Sequence, residues 1–396
     1  MRNYVSIPRV LSATLFFCVA GTINSYAAGI GGGSIKLNSS NKNTISHSAK
    51  VTEFHNLQPQ IGYEIFAPKA HTLNTSFDYT VWDKALGNRV IVLGPSLRRF
   101  AKPPRAEIGT RLVKRSQSSK YRLEGSRVTF FSFKDGFVDL LSEYKEDLVR
   151  LAHVHDIQSF SRDEQLAFWI NLHNVILIET IAKEHPTRRP STLTFGPDNA
   201  PLHEAKLITI NNVPLSLKNI RENIVYENWE DPNVIYGFFR GDIGGPGLMN
   251  FAVTAKNVKY VLDGNGYEYV TSLRGFQTDS LYRKVSTIYQ EAAPYYFPNW
   301  PEDIESHIKG YLKDHKALSE IVQDKSIKFI KYDTTIADLW GGDKSFQAGP
   351  VFNPGRPVGV PPIAFELADK HEELKRKGLL KRRRTVIIED VETEDK

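Results

Sequence analysis

Two short stretches hold the residue types that chemistry would need. In "AFWINLHN", Ala167 to Asn174, the polar side chains of Asn171, His173 and Asn174 interrupt an apolar run. In "YGFFRGDIGGPGLMN", Tyr236 to Asn250, Arg240 and Asp242 stand among Gly237, Gly241, Gly244, Gly245 and Gly247. An imidazole and a carboxylate sharing a cleft would form an acid–base pair. A guanidinium would meet an anion. Glycines crowded around Pro246 would serve a tight turn or let one backbone approach another closely. A phosphate cradle does not fit. Such a loop needs Lys and Ser/Thr in register before a helix, "GDIGGPG" supplies neither, and Pro246 removes a donor.

Other chemistries lack their residues. The histidines His153, His155, His185 and His203 follow no metal-ligand spacing, so no metal site is expected. No Gly-x-Ser-x-Gly run marks a serine nucleophile. The one cysteine, Cys18, lies in the first segment of the chain. That segment has Arg2 and Arg9 ahead of an apolar run from Val10 to about Ile23, then Ser25-Tyr26-Ala27, the layout of a secretory signal peptide over residues 1–27. Phe17 before Cys18 is too bulky for a lipoprotein cleavage site. The mature protein is therefore expected to begin near Ala28, to be periplasmic or extracellular, and to lack thiols, which excludes Cys nucleophiles, Cys-ligated zinc and iron–sulfur clusters. Without disulfides it must rely on its core, and 41% apolar residues supply one. The apolar run is too short to span a bilayer, and no later stretch is long and uncharged enough. The formal charge of +6 falls to +4 without Arg2 and Arg9, mixed along the chain rather than striped, so nucleic acid is not an expected partner. The mild positive surplus leaves an anionic envelope ligand open.

The elements that must position these residues follow from periodicity. "SRDEQLAFWINLHNVILIETIAKEHP" opens with Ser161 three residues before Glu164, a capping box, and closes at Pro186. Between them apolar residues surround the helix almost completely, so it is expected at the centre of the core. A buried amide must be hydrogen-bonded. Asn171 and Asn174, three apart on one face, therefore either tie the backbone of a neighbouring loop, the glycine loop being the natural candidate, or line a pocket. His173 projects to the other side. Upstream, "FDYTVWDKAL" has helical spacing, and "SRVTFFSFKDGFVDLLSEYKEDLVRLAHV" reads as a short strand and an amphipathic helix with Phe137, Leu140, Leu141, Tyr144, Leu148 and Leu151 on one stripe. Downstream, "KLITINNVPLSL" reads as a hairpin turning at Asn211-Asn212, Ser216 caps a helix, "NVIYGFF" is a buried strand or helix, and "SIKFIKYD" is a strand.

Strands and helices without regular βα alternation predict an α+β fold. It is a single globular domain over residues 77–340, built round the buried helix. A Gly-, Ser- and Asn-rich flexible lead-in is expected over 28–76. Residues 341–396 read as a Pro/Gly linker, one exposed helix, the basic run Lys381 to Arg384 and an acidic end, taken as a solvated charged tail. There is no internal repeat.

These landmarks together resemble a family, the domain of unknown function 547. "AFWINLHN" is similar to its usual Phe-Trp-Ile-Asn-Leu-Tyr-Asn run. "WDKAL", "SRVTFFSF", "VPLSLKNI", "DPNVIY" and "KFIKYD", ending at Tyr332-Asp333, resemble its other landmarks. The resemblance spans about two-thirds of the chain, and it implies the family fold but no activity and no cofactor. Family members carry Cys-Ala-Ser-x-Gly-Cys-Pro-Pro-Leu where this chain has Arg240 to Leu248, so Arg240 and Gly245 stand in place of both cysteines. Thr334 and Ile336-Ala337 replace a tryptophan and a leucine–asparagine.

Two functions remain. One is a non-catalytic exported binding or scaffold domain in which Arg240 and Asp242 anchor the loop, paired with each other, or contact a ligand. The other is an envelope hydrolase or transferase using Asp242, His173 or another acid–base pair in a rebuilt site.

Overall fold

The structure, a computed structural model, describes residues 62–71, 75–102, 119–133, 135–278, 281–312, 326–343 and 362–379. The expected signal peptide, most of the lead-in, most of the Pro/Gly linker and the Lys381 to Arg384 run lie outside the described residues.

The fold is α+β, and the helix that dominates the sequence dominates the core. Its flanking helices are α1 (Thr80–Arg89) and α2 (Asp135–Val154), and the central helix itself is α3 (Arg162–Lys183). Nineteen consecutive residues of α3, Glu164 to Ala182, are buried. Such all-round burial needs apolar side chains on every face, which is what the sequence supplies. Around α3 pack α2, the turn α4 (Leu217–Asn219), the π-helix Ile220–Tyr226 and α5 (Val258–Thr271). Ser161 caps α3 by accepting from Glu164 N. The expected box is only half formed, because the Glu164 carboxylate accepts from Phe77 N at 2.8 Å instead and ties α1's approach to the core.

Strands are short, two to four residues each. β1 (Val90–Val92) pairs with β2 (Ser126–Val128), β3 (Thr194–Phe195) with β4 (Ala200–Pro201), and β5 (Ile208–Ile210) with β6 (Val213–Leu215), all antiparallel. β7 (Phe276–Thr278), β8 (Tyr282–Val285) and β9 (Ser326–Phe329) form a mixed sheet. The β5–β6 hairpin turns at Asn211 and Asn212, with φ of 49° and 64°, the left-handed conformation their type tolerates. Ser216 and Asn219 form a complete capping box at α4. The run "NVIYGFF" becomes a 3-10 helix, Pro232–Gly237. Beyond it lie α6 (Ile288–Tyr296) and α7 (Glu302–Leu312).

Three expectations differ from the structure. The packed region reaches into the supposed lead-in: Phe66 is buried edge-on to Trp169, and Lys69 N donates to Gln158 O. "YEIF" is too short to show a period inside a Gly- and Asn-rich window. Leu140 leaves the α2 stripe and is exposed, whereas Leu141, Tyr144 and Leu148 are buried. The helix expected to be exposed in the tail, α8 (Pro362–Arg376), is seated on the domain. Ile363 and Leu374 are buried, Arg122 pairs with Glu366, and Lys370 Nζ donates to Leu123 O and Gly94 O. Glu366 and Lys370 meet partners in the domain while Asp369, Glu372, Lys375 and Arg376 face water, a one-sided seating that composition does not encode. No helix among the described residues is long and apolar enough to cross a membrane.

Candidate functional site

The site is assembled where α3, the glycine loop, the π-helix and α6 meet. Asn171 Nδ2 donates to Val253 O at 2.6 Å and its Oδ1 accepts from Val253 N at 3.2 Å. Asn174 Nδ2 donates to Gly237 O at 3.1 Å and its Oδ1 accepts from Phe239 N at 3.1 Å. Both amides thus tie loop backbone, and Asn174 holds the entry to the glycine loop. The void they border, also lined by Trp82, Gly237 and Asn265, measures about 10 Å³, room for one water at most. A larger concavity of about 480 Å³ lies against Glu372, Glu373, Lys375 and Arg376 of α8 and includes none of these residues. The chemistry-bearing groups therefore sit apart from that concavity.

The loop itself closes on the far end of the domain. Ile243 N donates to Thr335 O, Gly244 N to Asp333 O, and Ala337 N to Gly241 O. Gly241 turns the chain with φ of 81°. Gly244 and Gly245 do not share that left-handed φ, and the backbone Gly244 approaches is that of Asp333, not the Asn171–Asn174 face. A Cβ on Gly244 would stand 2.8 Å from Asp333 O and 2.9 Å from Asp333 N. Gly244→Ala should therefore destabilise the fold by roughly 1–3 kcal/mol, the scale of overpacking. Chemical denaturation measures it, and an unchanged midpoint would show that the loop can move off residues 332–336.

Arg240 is buried and does not pair with Asp242, the partner expected from its nearness in sequence. Its Nη1 and Nη2 donate to Glu291 Oε2 and Oε1 at 3.0 and 2.5 Å. Arg221, from the π-helix, grips the same carboxylate through Nε and Nη2 at 3.0 and 3.2 Å. Burial alone would raise the Glu291 carboxyl; the two guanidiniums outweigh it and hold the group well below the usual carboxylate range.

Arginine can only donate. His173 Nε2, 3.2 Å from Arg221 Nη1, must then accept, which places its proton on Nδ1, facing Asn174 Oδ1 at 3.0 Å. His203 Nδ1, at 3.4 Å from the same Nη1, accepts too, so its Nε2 proton points to Arg240 O at 3.2 Å. Burial first, and then the Arg221 charge, push both imidazoles well below their usual range.

Asp242 is buried apart from either histidine's bonding. Its Oδ1 accepts from Tyr332 Oη at 2.7 Å and Gly245 N at 3.1 Å. Gly245 O in turn accepts from Arg274. Burial pushes the Asp242 carboxyl up to about 7, although Tyr332, Arg240 and Gly245 N–H pull it down. Because the folded-state value lies above the ordinary one near 4, this group's contribution is fully present below pH about 4 and is lost as pH rises through about 7. Asp242→Asn should therefore gain on the parent by about 2–4 kcal/mol between pH 4 and 8. The histidines act in the opposite direction in both proteins and cancel in the difference. Urea unfolding of the pair across that range tests the sign, and a gap independent of pH would show Asp242 ionised normally.

Of the residues singled out from sequence, Asn174, His173 and Arg240 belong to one network, while Asn171 and Asp242 hold neighbouring loops. Arg221, His203, Glu291 and the half-buried Glu222, whose carboxyl burial and then Glu291 push up to about 7, were not singled out for this site. No spacing pattern joins them. No curated protein and no solved structure matches the chain. Residues 157–270, from the approach to α3 through the glycine loop to α5, match the sequence model of the family described as "Protein of unknown function, DUF547".

Proposed function

We propose that this protein is an exported, non-catalytic binding or scaffold domain whose polar centre holds the glycine loop in place. One observation carries the non-catalytic half. Each imidazole accepts from Arg221 and donates to an acceptor of the protein itself, Asn174 Oδ1 or Arg240 O, so neither stands beside a nucleophile or the Asp242 carboxylate. Protonating either would set a second cation against the guanidinium, which is the reverse of what a general acid needs. The contrary reading, a hydrolase or transferase, draws on Glu222, whose carboxyl near 7 suits proton transfer at neutral pH. Ester, amide and glycoside probes decide between them: turnover by the parent that His203→Ala or Glu222→Gln abolishes would overturn the scaffold reading. The exported half rests on Arg2, Arg9, the run Val10 to about Ile23 and Ser25-Tyr26-Ala27. Mass spectrometry of protein from its native host should find an N-terminus near Ala28, and an intact Met1 would refute export.

A further inference from the structure

The helix α8 is held to the domain in an unusual way. Of its buried side chains, Ile363 and Leu374 are apolar, whereas Glu366, Lys370 and Glu373 are charged. A contact so rich in charge has the make-up of a reversible interface rather than of a core. A helix of 15 residues is also marginal in water by itself, so α8 folds as it docks.

Its seat is the run Arg122 to Ser126, buried throughout. Arg127 stiffens that run: Nη1 donates to Ser126 O and Glu124 O at 2.6 and 3.0 Å, and Nη2 to Arg122 O and Tyr121 O at 2.7 and 3.0 Å. Gly125 O accepts from Leu93 N at 2.9 Å. Leu123 O takes its donor from α8, the Lys370 ammonium at 2.6 Å. A buried carbonyl needs such a donor. Arg122 likewise takes its carboxylate from α8, donating through Nε to Glu366 Oε2 at 2.9 Å. Leu93 and Leu123 are buried yet lie outside the main hydrophobic core, and Leu374 packs at Gly94.

The same run meets the glycine loop at its other end. Ser126 Oγ accepts from Leu248 N at 2.7 Å. Gly125 N donates to Glu268 Oε1 at 2.9 Å, Glu268 pairs with Arg274, and Arg274 Nη1 donates to Gly245 O at 2.5 Å. Lys370 feels this cluster too: burial pushes its ammonium down to about 8, while Glu268 and Glu124 pull it up.

We propose that α8 is a reversible strap, which docks and leaves as a unit and, while docked, orders the run Arg122 to Ser126 and through it the Gly245 to Leu248 end of the glycine loop. When α8 leaves, Leu123 O loses its donor, Arg122 loses its carboxylate, and Glu124 and Glu268 lose one of their cations. The run can then hydrate and shift, loosening its hold on Leu248 N and Gly245 O. A partner that draws α8 off the domain would thus loosen the loop, and a ligand of the ordered loop would hold α8 on. The strap would serve a scaffold or an enzyme alike.

Native-state hydrogen exchange of the full chain, read by mass spectrometry, tests this. In the parent, α8 should exchange at least about tenfold faster than α3, because it opens while the core stands, with residues 243–248 between the two. Glu366→Ala strips Arg122 of its carboxylate, and Leu374→Ala removes an apolar anchor and no charge. Each should speed α8 at least about tenfold, and residues 243–248 by a like factor, since both act by releasing the same strap. If neither variant folds, the order of the three rates in the parent still decides. The proposal is overturned if α8 or residues 243–248 exchange only in step with α3. It is equally overturned if residues 243–248 stay unchanged in variants whose α8 has sped up.

Discussion

Glu291→Ala should cost the domain about 3–5 kcal/mol, the scale of a buried ion pair broken from one side. The size of the loss comes from what remains. Arg221 and Arg240 would both stay buried, with four N–H groups released from the carboxylate and no other carboxylate in ion-pair contact with them among the described residues. Arg240→Ala should cost less, because Glu291 would keep its bonds to Arg221 and the truncated residue leaves no charge behind. In the double mutant Glu291→Ala/Arg240→Ala one stranded cation is gone, so its loss should be smaller than the sum of the singles. Urea unfolding of the four proteins measures the cycle. Additive losses would mean that Arg240 and Glu291 do not act on each other, and a loss under 1 kcal/mol for Glu291→Ala would mean that water reaches the guanidiniums freely.

That pairing also marks where sequence reasoning stopped. α3 was legible because its burial is local information: an apolar residue on every face, a serine cap, a terminating proline. Its asparagines were legible for the same reason, since an amide on a buried helix must find partners and the adjoining glycine loop offers backbone. The left-handed turn at Asn211 and Asn212 follows from residue type alone. Arg240 was different. Nearness along the chain suggested Asp242, but Gly241, at φ of 81°, reverses the backbone between them. Asp242 then bonds Tyr332, 90 positions away, and Arg240 bonds Glu291, 51 positions away. "YQEAAPYY" carries no charge pattern to announce Glu291, and His203 and Arg221 likewise reach the cluster only through tertiary packing. The seating of α8 and of Phe66 has the same character: both are long-range contacts made by segments whose composition reads as solvated.

Trp169→Ala should cost about 3–5 kcal/mol, enough to unfold a marginal domain. Trp169 is 1% exposed in the middle of α3, with Phe66 and Phe168 edge-on at ring-centroid distances of 5.4 and 5.2 Å. Phe66 comes from outside the 77–340 span that periodicity defines, so the cavity would open between two segments that the fold must bring together. Relaxation there is limited, because α3 is packed on every face and cannot shift toward the hole without loosening its other contacts. The indole also supplies a control. Its Nε1 is buried with no hydrogen-bond partner among the described residues, a group that folding leaves desolvated at some cost. Trp169→Phe removes that donor while keeping an aromatic ring against Phe66 and Phe168, so it should lose no more than about 1.5 kcal/mol, the range of a tolerated core swap. Melting and urea unfolding of the two variants give the comparison. Equal losses for alanine and phenylalanine would mean that the indole N–H is bonded after all, and a melting temperature for Trp169→Ala close to the parent's would mean that α3 is not at the centre of the core.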